Sequence, residues 1–188
     1  MDQSTGMVVV VAVVILVILA IVGWLYSRQR RTKLLRQRFG PEYDRVVKEE
    51  GEQRKGEAVL EFRAKRRHSL HIHPLQPEQQ SAFATRWIAV QSRFVDDPRG
   101  AVTDADLLIN EVMAARGYPM TDFEQRAADI SVDHPRLVED YRIAHGIAAR
   151  QQQGQSTTED LRKAMVHYRS LFEDLLDYST ANRKERMA

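Results

Sequence analysis

Met7-Val-Val-Val-Val-Ala-Val-Val-Ile-Leu-Val-Ile-Leu-Ala-Ile-Val-Gly-Trp-Leu-Tyr26 runs straight into Ser27-Arg-Gln-Arg-Arg-Thr-Lys-Leu-Leu-Arg-Gln-Arg38, and every other segment is placed by this junction. The first stretch is twenty residues without a charge; the fourteen positions after it hold six basic side chains and no acid. At 1.5 Å per helical residue the apolar run reaches about 30 Å, the thickness of a bilayer's hydrocarbon core. In hydrocarbon each backbone polar group needs an internal partner, so the run predicts one transmembrane helix over 7–26. Its β-branched residues disfavour a helix in water, a weak preference that burial in lipid overrides. Trp24 and Tyr26 have amphipathic rings suited to the headgroup layer, and Arg28, Arg30, Arg31 and Lys33 follow on the aqueous side. These six are the expected membrane-interface residues. The positive-inside bias places the N-terminus outside and the C-terminal part in the cytoplasm of a single-pass inner-membrane protein.

A cleaved signal peptide would put the basic segment before a shorter core and small residues after it, the reverse of what stands here. Small residues four apart, which favour helix pairing in membranes, are missing: Ala12 is followed by Leu16 and Ala20 by Trp24. No ionisable residue lies in the span, which argues against an ion path. The span reads as a tether.

Charge divides the chain unevenly. Residues 1–67 hold fourteen basic and eight acidic side chains, whereas residues 68–188 hold fourteen and eighteen. The basic part is therefore expected to face anionic lipid headgroups of the membrane bilayer. Nucleic acid is disfavoured as a partner, because the acidic distal part would be repelled by phosphate. The absence of cysteine excludes disulfides, thiolate metal sites and a cysteine nucleophile.

Beyond a short N-terminal tail (1–6) and the span, three further segments are expected. Residues 27–74 read as a basic juxtamembrane segment, a polar helix and a connector. Within it Pro41 suits the first turn of a helix that continues to about Arg67, polar and weakened at Gly51 and Gly56. Residues 75–178 read as a helical bundle of about five helices. Phe83, Trp87, Val90 and Phe94 form one stripe; Val102, Ala105, Leu108, Val112 and Ala115 form the next, with Gly117 as its cap. Phe123, Ala127 and Ile130 mark a short helix, and Leu137, Tyr141, Ala144 and Ala148 one begun near Pro135. Leu161, Met165, Tyr168, Phe172 and Leu175 mark the last, with Ser156/Glu159 or Thr157/Asp160 as its capping pair. Residues 179–188 read as a polar tail. The fold class is all-α.

Candidate chemistry is sparse. His68, His71 and His73 are the densest group of possible metal ligands, but no Asp or Glu joins them locally, so they are weak candidates beside the reading as a polar connector. His145 and His167 lack the Glu-x-x-His and His-Glu-x-x-His spacings and read as core-edge residues with hydrogen-bonded neighbours. Ser131, Asp133 and His134 supply the residue types of a nucleophilic triad without its elbow, and Asp133 reads better as a helix cap. No catalytic residue and no cofactor is expected.

Several phrases resemble those of a group of bacterial single-pass membrane proteins of unknown function: Leu35-Arg-Gln-Arg-Phe-Gly-Pro-Glu-Tyr-Asp-Arg45, Arg93-Phe-Val-Asp-Asp-Pro98, Arg116-Gly-Tyr-Pro119, Asp122-Phe-Glu-Gln-Arg-Ala-Ala-Asp129 and Val132-Asp-His-Pro135. The resemblance spans most of 35–175; it implies the architecture and a bacterial origin and supplies no site residue. The expected function is a membrane-tethered cytoplasmic helical module for protein interaction or scaffolding, with an unknown protein partner. The alternatives are a metal-binding or enzymatic domain using the histidines, and an extracytoplasmic domain.

Overall fold

Two short breaks, at Gly40-Pro41 and at Gly51-Glu52, fold the basic segment back on itself. In the computed structural model, which describes the backbone of residues 3–186 and the side chains of residues 14–176, helix α1 spans Gln3–Phe39 without interruption. Pro41 then opens α2 (Pro41–Glu50), where its missing N–H costs nothing. Gly51 closes α2 in the left-handed conformation at φ 69°, with its N–H on the Lys48 carbonyl, and α3 (Gln53–Ser69) returns antiparallel. The expected single polar helix 42–67 is therefore a helical hairpin. Gly56 is what lets its arms close: a Cβ there would stand 2.8 Å from the Val47 Cα. The residue read as a helix weakener is a crossing point.

The hairpin packs on the end of α1. Leu35 and Phe39 from α1, Tyr43 and Val46 from α2, and Leu60 from α3 form a small buried cluster, closed by Val132 from far along the chain. So the juxtamembrane segment is neither a free stalk nor a solvated helix.

The larger core belongs to α4 (Pro77–Arg93), α5 (Pro98–Ala115), α6 (Phe123–Ile130), α7 (Val138–Gln152) and α8 (Thr158–Arg186). α5 runs through its middle, burying Val102, Ala105, Leu108, Ile109, Val112 and Met113 between α4, α7 and α8. Trp87 of α4 stacks on Phe172 of α8, with ring centroids 4.7 Å apart. The helix ends are closed by side chains where the sequence offers them. Asp97 accepts from the Gly100 N–H and Asp122 from the Gln125 N–H, while Thr157 and Asp160 exchange the two bonds of a capping box. Ser156 instead donates to the Ile147 carbonyl. Gly117 and Tyr118 close α5 through N–H bonds to the Ala114 and Met113 carbonyls.

The described residues form eight helices and no strand, an all-α fold with a five-helix bundle. Two boundaries differ from the sequence reading. α7 starts at Val138 rather than near Pro135, because residues 131–137 form turns with N–H bonds to Ile130 and His134. The tail expected from 179 continues as α8 to Arg186. Among the described residues no helix is long and apolar enough to cross a membrane. Residues 7–13 of the expected span lie outside the described side chains.

Candidate functional site

Where α1 leaves its apolar run, α3 lies alongside it, and basic side chains line both flanks of the seam. Arg31 on α1 pairs with Glu61 on α3 and divides the seam in two. On one flank a cleft of about 400 Å³ is bounded by Trp24, Ser27, Arg28 and Arg31 from α1 and by Arg54 and Glu57 from α3. On the other, a groove of about 450 Å³ is bounded by Arg30, Leu34 and Arg38 from α1 and by Lys65 and His68 from α3. The Arg28 guanidinium lies 5.7 Å from the centre of the Trp24 ring, within cation–π range. Arg28 and Arg54 have no carboxylate partner among the described residues.

Glu57 explains why. Its Oε1 accepts from Thr32 Oγ1 at 2.7 Å, from the Tyr43 hydroxyl at 2.8 Å and from Gln53 Nε2 at 2.8 Å. Burial pushes its pKa up, but those three bonds and the nearby Arg31 charge outweigh burial and hold it below the usual carboxylate range. Its Oε1 is thus served by neutral donors, and neither Arg28 nor Arg54 pairs with it among the described residues. Tyr43 shifts the other way: burial and the bond to Glu57 push its hydroxyl pKa up, so it stays a donor.

A second buried carboxylate, Glu42, joins the hairpin to the bundle. It is only 2% exposed, yet it accepts from Arg45 at 2.8 and 2.9 Å, from Arg63 at 2.8 Å, and from both terminal nitrogens of Arg142 at 2.9 Å. Burial raises its pKa; the bonds and charges of Arg45 and Arg142 more than reverse this and hold it at about 2. Arg66 to Asp129 at 2.8 Å and Arg67 to Asp133 add two further links between α3 and the segment around α6.

The residues singled out in the sequence are distributed as follows. Trp24 and Tyr26 are 60% and 67% exposed; Arg28 lines the first cleft, Arg30 the second groove, and Arg31 both. Lys33 is exposed and lines neither. His68 lies in the last turn of α3, while His71 and His73 lie on an extended connector against the end of α5, where the His73 N–H donates to the Arg116 carbonyl. The structure does not bring the three together, and among the described residues no group of three His, Asp or Glu side chains could hold a metal ion. Ser131 donates to the Ala128 carbonyl, Asp133 accepts from Tyr118 and Arg67 instead of capping a helix, and His134 pairs with Asp174. His145 faces Asp106 at 3.3 Å, and His167 faces Asp140 at 2.8 Å. Asp106 also accepts from Tyr168; burial raises its pKa, but the bonds from His145 and Tyr168 keep it below the ordinary value.

Arg54 and Glu57 are absent from the sequence-level site, because the helix that carries them read as solvated. Compared with known proteins, the chain matches no family model, no curated protein and no solved structure.

Proposed function

We propose that the protein is a single-pass membrane-anchored module whose helical domain stands on the cytoplasmic face and serves as a protein-interaction or scaffolding unit. One observation carries the anchoring: the uncharged run 7–26 belongs to a single helix that continues, through the arginine-rich turns, to the buried Leu35 and Phe39. Along its described part the apolar side chains from Val14 to Leu25 are exposed, a surface that water disfavours and lipid accepts. The basic side chains that follow support this orientation and contact with anionic headgroups.

The non-catalytic part of the reading rests on how the candidate groups are used. Ser131, Asp133 and His134 are each committed to a separate structural contact, and His145 and His167 each pair with an aspartate across helices. Flotation of cell membranes, followed by protease treatment of intact spheroplasts, tests both halves. The chain should float with the membrane fraction, with its C-terminal domain protected until the cells are opened. Digestion of that domain in intact spheroplasts would reverse the orientation, and recovery in the aqueous fraction would remove the anchor.

A further inference from the structure

The geometry points to a phospholipid-binding site in the cleft between α1 and α3, where Arg28, Arg31 and Arg54 hold the phosphate of one anionic lipid and Ser27 and Trp24 flank it. This rests on the anchoring reading above and adds a site, a stoichiometry and a residue that the basic run alone does not contain.

The position of the cleft selects its ligand. Trp24 belongs to the last turn of the apolar run, and Ser27 and Arg28 to the first turn beyond it, so the mouth opens where headgroups would lie. A volume of about 400 Å³ is enough for a phosphodiester with its glycerol. The charges in the lining favour an external anion: three arginines face one carboxylate, Glu57, whose Oε1 is already taken by Thr32, Tyr43 and Gln53, and Arg31 is neutralised in part by Glu61. Arg28 and Arg54 remain, from two different helices, with no carboxylate partner among the described residues. Guanidinium groups fit phosphate oxygens through paired N–H bonds. Trp24 lies under the Arg28 guanidinium within cation–π range.

The second groove shares Ser27 and Arg31 with the cleft and adds Arg30, but it extends away from the headgroup layer to Arg38 and His68. Arg38 lies twelve residues beyond Tyr26, about 18 Å along the helix, roughly two Debye lengths from the headgroup layer at physiological salt. The same distance makes Arg38→Gln the matched control: it removes the same charge from the other flank of the seam, away from the cleft.

The full-length chain is placed in nanodiscs of neutral phosphatidylcholine with a minor fraction of phosphatidylglycerol, and the lipid it retains on release is weighed by native mass spectrometry. One phosphatidylglycerol per chain is expected on the wild type. Arg54→Gln should weaken its retention roughly tenfold, the loss of one charge-assisted contact, and Arg38→Gln by less than about twofold. Arg54 is exposed and its side chain has no hydrogen-bond or ion-pair partner among the described residues, so its variant should keep the wild-type circular dichroism and melting curve. If it does not, Arg28→Gln replaces it with the same expectation. Equal retention by wild type and the cleft variants, in chains that still insert, overturns the site and leaves the anchor standing. A chain that fails to insert overturns the anchor instead. Displacement of the lipid by inorganic phosphate in the aqueous phase would overturn the lipid assignment in favour of the free anion.

Discussion

The hairpin α2–α3 and the bundle α4–α8 solve the same problem with different materials. The bundle buries a continuous apolar core to which α5 contributes Val102, Ala105, Leu108, Ile109, Val112 and Met113, with a few polar side chains, Arg116 and Asp129 among them, buried beside it. The hairpin has few apolar residues, borrows Leu35 and Phe39 from α1 and Val132 from the bundle, and buries two carboxylates, Glu42 and Glu57. Apolar burial is non-directional and tolerant, whereas a buried ion cluster costs desolvation and repays it only in one geometry. The bundle is therefore suited to be stable, and the hairpin to be placed in one position relative to α1 and α7.

The widest test of that contrast is to remove each material in turn. Glu42→Ala leaves three arginines around an empty site, and should cost about 3–5 kcal/mol as a broken buried pair. Hydrogen exchange should show the loss in α2 and α3 first, with α5 still protected. Leu171→Ala, a fully buried side chain of α8, should cost about 2–5 kcal/mol and open the bundle and the docked hairpin together. Equal loosening of both regions by Glu42→Ala would erase the distinction.

Acid acts on the same carboxylate more gradually. The folded pKa of Glu42, about 2, lies below its ordinary 4.5, so its contribution is full above the unfolded value and fades as pH falls from about 4.5 to about 2. Glu57 shifts in the same direction. The hairpin should therefore release ahead of the bundle in an acid titration followed by hydrogen exchange. A single coincident transition would mean that the two regions unfold as one unit.

Glycine substitutions sharpen the picture at smaller scale. Gly56→Ala pushes a methyl into the Val47 backbone, and should destabilise the hairpin by about 1–3 kcal/mol, as overpacking does. Gly51→Ala meets nothing within 4 Å, so only its left-handed backbone is penalised, by about 1 kcal/mol. Denaturation midpoints of the two variants should fall in that order.

The bundle was legible because its apolar residues recur at helical spacing within single segments. Leu161, Met165, Tyr168, Phe172 and Leu175 are all buried, as their 4-3-4-3 spacing predicts. The hairpin was not legible, because its core is completed by residues distant in sequence. Tyr43, Val47, Val59 and Leu60 look sparse until Leu35, Phe39 and Val132 are set beside them. Likewise the local pair with Arg45 does not mark Glu42 as buried, since Arg63 lies 21 residues away and Arg142 lies 100. At the candidate site, Trp24, Arg28 and Arg31 could be read from the junction of apolar and basic sequence. Arg54 could not, since its place depends on the turn at Gly51 that carries α3 back to α1.

That α1 has no break between its apolar run and Phe39 has a mechanical consequence under the proposed anchoring. A tether with a flexible joint would let the domain swivel, but here the last turns of the spanning helix are themselves part of the hairpin core. The helix is then a lever. A tilt adopted to match a thinner bilayer would be carried to the bundle as a rotation of the same angle. The thickness of the membrane would thereby set the attitude in which the domain presents its surface to whatever it meets.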